Sequence, residues 1–108
     1  MSNDLDTGED AYERTVRKEV ATELINSVRA AIYERVYQLE EGNDADQQEA
    51  ERLDQKAIAL RRLIGSLRCK EQQQVEAVIA HWGPLLRDEQ NLWPALQDNR
   101  PLLAAWHG

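Results

Sequence analysis

The sequence predicts an all-α protein: a long antiparallel helical hairpin with a coiled-coil-like seam, followed by short C-terminal helices. The first observation is a row of apolar residues within 50–67, in which steps of three and four alternate, so that all of them share one side of a helix. The second is a preceding stretch that repeats apolar residues at helical spacing and holds no helix breaker. The members of the first row are Ala50, Leu53, Ala57, Leu60, Ile64 and Leu67.

The first helix is predicted over 9–41, after a frayed N-terminus at 1–8. Its apolar row advances in strict fours, and such a row drifts by about 40° per step around a helix, so it covers more than half of the circumference. A face that wide suits two packing neighbours, with local helix curvature as the alternative. The row is Val16, Val20, Leu24, Val28, Ile32 and Val36, with Ala21, Ile25, Ala31 and Leu39 on the same arc.

The polar interval 40–44 is predicted to be the loop of the hairpin. Gly42 fits the left-handed position after a helix C-terminus, and Asp44 with Gln47 fits an N-cap and its reciprocal partner. A connection this short makes the flanking helices antiparallel neighbours. Folding back about Asn43 then places residue i opposite roughly residue 86 − i.

The second helix is predicted over 45–82, as one long or kinked helix. A break near 65–70 is the alternative, because Gly65 lowers helix propensity and the apolar pattern resumes out of phase after it. Gly83 and Pro84 are expected to end this helix. The remaining part, 84–108, is predicted to form short helices bearing Trp and Pro, which cap the open end of the hairpin or cover a partner. Pro84, Pro94 and Pro101 suit the first turns of such helices.

Length and charge limit the classes of function. The 108 residues are one domain by length, and 20 acidic against 13 basic residues leave a formal net charge of −7. This acidity disfavours binding to nucleic acid or to an anionic membrane surface. A single cysteine excludes an internal disulfide, no apolar run has membrane-spanning length, and the polar beginning resembles no signal peptide. We therefore expect a cytoplasmic protein.

Catalytic, cofactor and metal sites are not expected. His81 and His107 lack a second histidine at the spacing of a helical zinc site. Partial burial is the expected role of His81, and Cys69 is expected to be an incidental thiol, although Arg68 and Lys70 beside it would lower a thiol pKa. No phosphate-binding loop or nucleophile motif is present in the sequence.

The interval 56–70 holds five basic residues and no acid, which suggests either a binding patch or internal ion pairs. In the expected register Arg62 lies near Glu23, and Arg68 lies near Glu19. Lys70 is then placed near Glu13. We favour ion pairs within the hairpin, at a few tenths of a kcal/mol each, over a functional patch.

The leading hypothesis is a non-catalytic protein-binding module, of chaperone, antitoxin or adaptor type, that masks or escorts a protein partner. Tryptophans and unused apolar surface are typical interface anchors. The unused part of the first helix's wide apolar face also predicts a homodimer. The candidate partner-binding residues are Val16, Val20, Leu24, Trp93 and Trp106.

Two alternatives use charge instead. The first is an acidic inhibitor of a nucleic-acid-binding protein or enzyme, whose hairpin-loop carboxylates would occupy a phosphate-binding groove. The second is a DNA-binding regulator that uses a local basic patch. The carboxylates of the first are Glu40, Glu41, Asp44 and Asp46, and the basic residues of the second are Arg61, Arg62 and Arg68.

Overall fold

The structure is a computed structural model that describes the backbone of residues 2–97 and the side chains of residues 11–97. Helices occupy nearly all of the described range, which contains no strand, so the all-α prediction is confirmed. The expectations for Pro101, Trp106 and His107 lie outside the described residues. The elements are α1 (Ser2–Leu39), α2 (Asp44–Ser66), a 3₁₀ turn (Leu67–Cys69), α3 (Gln72–Arg87) and α4 (Glu89–Gln97).

Helices α1 and α2 form the predicted antiparallel hairpin. The Nζ atom of Lys18 donates a hydrogen bond of 3.0 Å to the carbonyl oxygen of Arg68. Nearer the loop, Nε of Arg29 donates one of 3.0 Å to the carbonyl oxygen of Ala57. Both pairs fit the expected facing of residue i and residue 86 − i, which confirms the register.

Helix α3 turns back along α1 and does not continue α2. Near its start, Glu76 accepts hydrogen bonds of 2.8 and 2.7 Å from Arg17. Further on, the ring of Trp93 in α4 lies 4.8 Å from the guanidinium carbon of Arg35. Residue numbers therefore rise in the same direction along α1 and along α3–α4. The prediction that the C-terminal part caps the open end of the hairpin is wrong for the described residues.

The break between α2 and α3 corrects the prediction of one helix over 45–82 and agrees with the alternative of a break near 65–70. Lys70 is extended, with ψ of 143°, and the backbone N–H of Glu71 donates a hydrogen bond of 3.0 Å to Oε1 of Gln74. The intervening residues are good helix formers, but propensity is weak against tertiary packing. Turning back lets α3 bury Val75 and Val78 against the rest of the core.

The bounds of α1 also differ from the expected 9–41. It begins at Ser2 instead of after a frayed segment, and it ends at Leu39. Adding a residue to an existing helix gains a hydrogen bond without a new nucleation cost, so a helix extends until a breaker stops it. The loop that follows occupies 40–43, within the predicted interval 40–44.

Asn43, and not Asp44, caps α2. Its side-chain oxygen accepts a hydrogen bond of 2.9 Å from the N–H of Asp46, and its own N–H points to the Asp46 carboxylate. Gly42 has no positive φ, so the left-handed prediction for it is wrong. Glycine is favoured there by a close approach, because a Cβ atom would clash with the Asp46 side chain and would lie 2.8 Å from its Cβ atom. Any larger residue would disturb the cap.

Two prolines lie inside helices, contrary to the prediction that proline would occupy first turns. Pro84 lies within α3, which continues to Arg87, and Pro94 lies within α4. Each removes one helical hydrogen bond. The buried neighbours Trp82 and Leu96 hold these helices against the core.

The core lies between α1 and its two neighbours, α2 and α3. Helix α1 packs against both of them, so the prediction that its wide apolar face serves two neighbours is confirmed within one chain. On α2, Leu63 is buried while the predicted seam residue Ile64 is only half-buried. The buried apolar residues are Ala21, Ile25, Val28, Ile32, Val36, Ala50, Leu53, Ala57, Leu60, Leu63, Leu67, Val75, Val78, Trp82, Leu92 and Leu96.

Candidate functional site

The side of α1 that faces away from α2 and α3 carries three exposed tyrosines. Tyr12 is 72% exposed, Tyr33 is 41% exposed and Tyr37 is 73% exposed. Within residues 11–97 these are the exposed large hydrophobic side chains. At 3.6 residues per turn, Tyr33 and Tyr37 are adjacent on the helix surface, and Tyr12 lies on the same side about 31 Å away.

Exposed carboxylates lie between the tyrosines. Glu19, Glu23 and Glu34 occupy the same side of α1, and none of them forms an ion pair with another side chain in 11–97. We call this surface the outward face of α1. It comprises Tyr12, Glu19, Glu23, Asn26, Ala30, Tyr33, Glu34 and Tyr37.

Four of the five basic residues of α1 contact other elements of the fold. Arg17 reaches α3, where two hydrogen bonds to Glu76 lower the pKa of this carboxyl and raise the pKa of the guanidinium. Lys18 reaches the backbone at the end of α2. Each of these contacts fixes α1 to another element by using a positive charge.

Two further basic residues of α1 also contact other elements of the fold. Arg29 donates to the carbonyl oxygen of Ala57, and its guanidinium carbon lies 5.6 Å from the ring centroid of Tyr33. Arg35 lies over the ring of Trp93 at 4.8 Å, a cation–π geometry. The remaining base of α1, Arg14, is about 200° around the helix from Tyr12. The outward face itself therefore holds three carboxylates and no base, while Arg29 lies over Tyr33 at its edge and Lys18 and Arg68 line the groove beside Glu19 and Glu23.

The partner-binding residues predicted from the sequence are only partly brought together. Val16, Val20 and Leu24 are half-buried and border the outward face on the side of α3. Trp93 is half-buried beneath Arg35, which lies about 16 Å along α1 from Leu24 and about 28 Å from Val16. The structure therefore places Val16, Val20 and Leu24 in one strip and separates Trp93 from it.

The arginines of the basic interval do not form one patch. Arg61 and Arg62 are consecutive on α2, so they point about 100° apart. Arg68 lines a groove between α1 and α2 together with Glu19 and Glu23, which add negative charge to it. The ion pairs expected for Arg62 and Arg68 are not formed among the described side chains, because the residues lie in register but their charged ends do not meet.

The hairpin-loop carboxylates divide into two groups. Asp46 completes the cap of α2, and Glu49 pairs with Arg52, whose hydrogen bond lowers the pKa of Glu49. Glu40, Glu41 and Asp44 are exposed and form no ion pair with a described side chain.

His81 and Trp82 are the buried polar side chains whose nitrogen atoms, Nε2 and Nε1, find no hydrogen-bond partner among the described residues. Their rings meet edge to face, with centroids 4.7 Å apart. Partial burial lowers the pKa of His81. Cys69 is an exposed free thiol. The searched part of the chain shows no cluster of His, Cys, Asp and Glu arranged to hold a metal, and no helix long and apolar enough to cross a membrane.

Sequence reasoning missed the tyrosines of the outward face. The prediction relied on tryptophan and on aliphatic rows, and the residues it selected within 11–97, Val16, Val20, Leu24 and Trp93, are half-buried. The spacing of the tyrosines was a signal. Tyr33 lies 21 residues after Tyr12 and Tyr37 lies four residues later, and both separations are close to whole numbers of helical turns, so the three side chains share one face. Comparisons with family models, curated proteins and solved structures found no match for this chain, so the functional argument depends on this surface.

Proposed function

We propose that this chain is a non-catalytic protein-binding module that masks or escorts a protein partner, and that the partner binds the outward face of α1. The observation that carries the proposal is the exposure of Tyr12, Tyr33 and Tyr37 on one side of a continuous helix. Tyrosine combines a large apolar ring with a hydroxyl at low entropic cost, which is why it is enriched at interfaces.

The strip of Val16, Val20 and Leu24 supports the same surface. These side chains are half-buried beside α3, so their remaining exposed area adjoins the outward face. A partner resting on α1 would cover apolar area and tyrosine rings together. Burying apolar area is the main favourable contribution to protein association.

The test compares affinity capture by three purified chains. The first is the wild type, and the second carries Tyr12→Ser, Tyr33→Ser and Tyr37→Ser. The control carries three exposed changes on other elements, Gln55→Ser, Gln73→Ser and Gln90→Ser. We expect the wild type and the control to enrich the same protein from an extract of the source cells, as identified by mass spectrometry, and the tyrosine variant to lose it. Equal capture by all three chains would contradict the proposal.

An acidic inhibitor of a nucleic-acid-binding protein is the second candidate. It is supported by Glu40, Glu41 and Asp44, which are exposed at the hairpin loop without an ion pair to a described side chain. Such an inhibitor would compete with DNA for its target, and replacing these three residues with Gln, Gln and Asn would remove the competition. The basic patch of a DNA-binding regulator has less support, because Arg61 and Arg62 diverge.

A further inference from the structure

The sorting of charge on α1 indicates what kind of partner its outward face accepts. Of the five basic residues of α1, four contact α2, the turn after it, α3 or α4. The carboxylates of Glu19, Glu23 and Glu34 remain on the outward face without a described ion-pair partner. A partner that buries this face must supply positive charge, because an unpaired buried carboxylate is costly.

We propose that the partner presents a basic amphipathic helix, with apolar side chains in its centre and arginine or lysine along its flanks. This inference rests on the proposed function, since it names the chemistry of the partner for the same surface. The apolar residues of the partner helix would cover the tyrosine rings and the strip of Val16, Val20 and Leu24. Its cations would pair with Glu19, Glu23 and Glu34.

The chain itself shows the aromatic–cation geometry that such a partner would use. The guanidinium carbon of Arg29 lies 5.6 Å from the ring centroid of Tyr33, and that of Arg35 lies 4.8 Å from the ring centroid of Trp93. Tyr12 and Tyr37 carry no such cation within the described residues and are more exposed than Tyr33. Their faces are therefore open to a guanidinium from another chain.

The dimensions of the surface suit a helix. From Tyr12 to Tyr37 the outward face extends over 25 residue steps of one continuous helix. At 1.5 Å per residue this is about 37 Å, the length of a partner helix of about 25 residues.

Other occupants of this face bring the wrong charge. A second copy of the chain would place its own Glu19, Glu23 and Glu34 against the same carboxylates, and like charges across an interface are repulsive. Nucleic acid would place phosphates there, with the same result. A cationic protein segment matches both the rings and the charge.

The experiment uses two synthetic helical peptides of about 25 residues, the length expected from the rise of a helix. Both carry the same leucine stripe; one has arginine along its flanks, and the other has glutamate at those positions. Binding to the full chain is measured by fluorescence anisotropy at low and at high salt. We expect the arginine peptide to bind, with an affinity that falls by about tenfold as salt rises, and the glutamate peptide to show no binding.

Two charge-matched variants then locate the site. The first carries Glu19→Gln, Glu23→Gln and Glu34→Gln on the outward face. The second carries Glu40→Gln, Glu41→Gln and Asp44→Asn at the hairpin loop, which changes the net charge by the same amount. We expect the first to weaken binding of the arginine peptide by about tenfold or more, and the second by about twofold or less. Circular dichroism confirms that both variants stay folded.

Several outcomes would overturn the proposal. Equal losses in the two variants would mean that only net charge matters, and a larger loss in the second would move the site to the hairpin loop. Binding of the glutamate peptide, or of duplex DNA in a parallel measurement, would exclude a requirement for a basic partner. The two proposals can also be separated. If the variant carrying Tyr12→Ser, Tyr33→Ser and Tyr37→Ser loses its captured protein while the outward-face glutamate variant retains it, the protein-binding function is supported and the proposal of a basic partner is rejected. Retention by both variants would reject both proposals.

Discussion

Arg17 of α1 and Glu76 of α3 are joined by two hydrogen bonds, of 2.8 and 2.7 Å, across 59 positions of sequence. The pair lies where the chain has just turned back after α2, so it links the beginning of α3 to α1. Both side chains are about two-fifths exposed, which limits what the pair adds to stability. Its value is geometric, because it holds α3 parallel to α1 instead of beyond the end of α2.

The Glu76 carboxyl provides a direct test of this pair. Its pKa is lowered by the hydrogen bonds from Arg17, so Arg17→Gln should raise it toward the ordinary value for glutamate. Carboxyl titration followed by NMR measures the change, with Arg14→Gln as the control. A lowered folded-state pKa stabilises the fold above the unfolded pKa, and this contribution is lost as the pH falls through the folded value. If the pKa of Glu76 were the same in the Arg17→Gln variant as in the wild type, the hydrogen-bonded pair would not form in solution.

His81 should make stability depend on pH in a different range. Its pKa is lowered by burial from the ordinary value of 6.5, so unfolding takes up a proton below that pH. The free energy of unfolding should therefore fall as the pH drops from about 7.5 to about 5.5, and His81→Gln should flatten this dependence. Urea unfolding at each pH measures it, and His107→Gln is the matched control. The same slope in the His81 variant and in the wild type would contradict the prediction.

The helical seam can be tested at Leu60, which is fully buried. Leu60→Asp places an unpaired charge in the core and should cost about 5 kcal/mol or more, which is comparable to the whole stability of a small domain. The exposed change Gln55→Asp on the same helix should leave the protein folded. Circular dichroism reports both, and the wild type should give a spectrum with at least roughly 65% helix, above the globular average. If the Leu60→Asp variant stayed folded, Leu60 would not lie in the core.

The three arginines of the basic interval should contribute little to stability. Arg61, Arg62 and Arg68 form no ion pair among the described side chains, so changing all three to Gln should alter the free energy of unfolding by less than about 0.5 kcal/mol. Arg29→Gln removes a hydrogen bond to the backbone of α2 and should cost more, about 1 kcal/mol. Denaturant melts compare the variants. If the triple variant lost more unfolding free energy than Arg29→Gln, the hypothesis of ion pairs within the hairpin would be supported again.

Homodimerisation stays a prediction. α3 covers part of the apolar face that suggested it, which leaves the half-buried Val16, Val20 and Leu24 as the dimer contact. The sequence prediction expects a dimer for the wild type at about micromolar concentration and a monomer for Val20→Glu with Leu24→Glu, whereas the like charges of the outward face favour a monomer. Sedimentation equilibrium decides between them. A wild-type mass near 12.4 kDa would reject the dimer.

The sequence by itself determined the helices, the hairpin and its register. Apolar spacing is a local property, and a loop as short as the one that holds Asn43 leaves antiparallel packing as the simple solution. The facing of Lys18 with Arg68, and of Arg29 with Ala57, follows from the position of that loop alone. The ion-pair partners of charged side chains could not be predicted from the register in the same way. A long flexible side chain can reach several partners, and the interaction energies with them are similar.

Only the tertiary structure decided where the chain turns back and which surface stays open. The residues before Gln72 favour helix as strongly as those after it, so the break depends on the gain from packing Val75, Val78 and Trp82 against α1. That packing fills one side of α1 and draws its bases toward α2, α3 and α4. The tyrosines and carboxylates left on the other side became a surface only through this arrangement, since exposure depends on which neighbours a helix acquires.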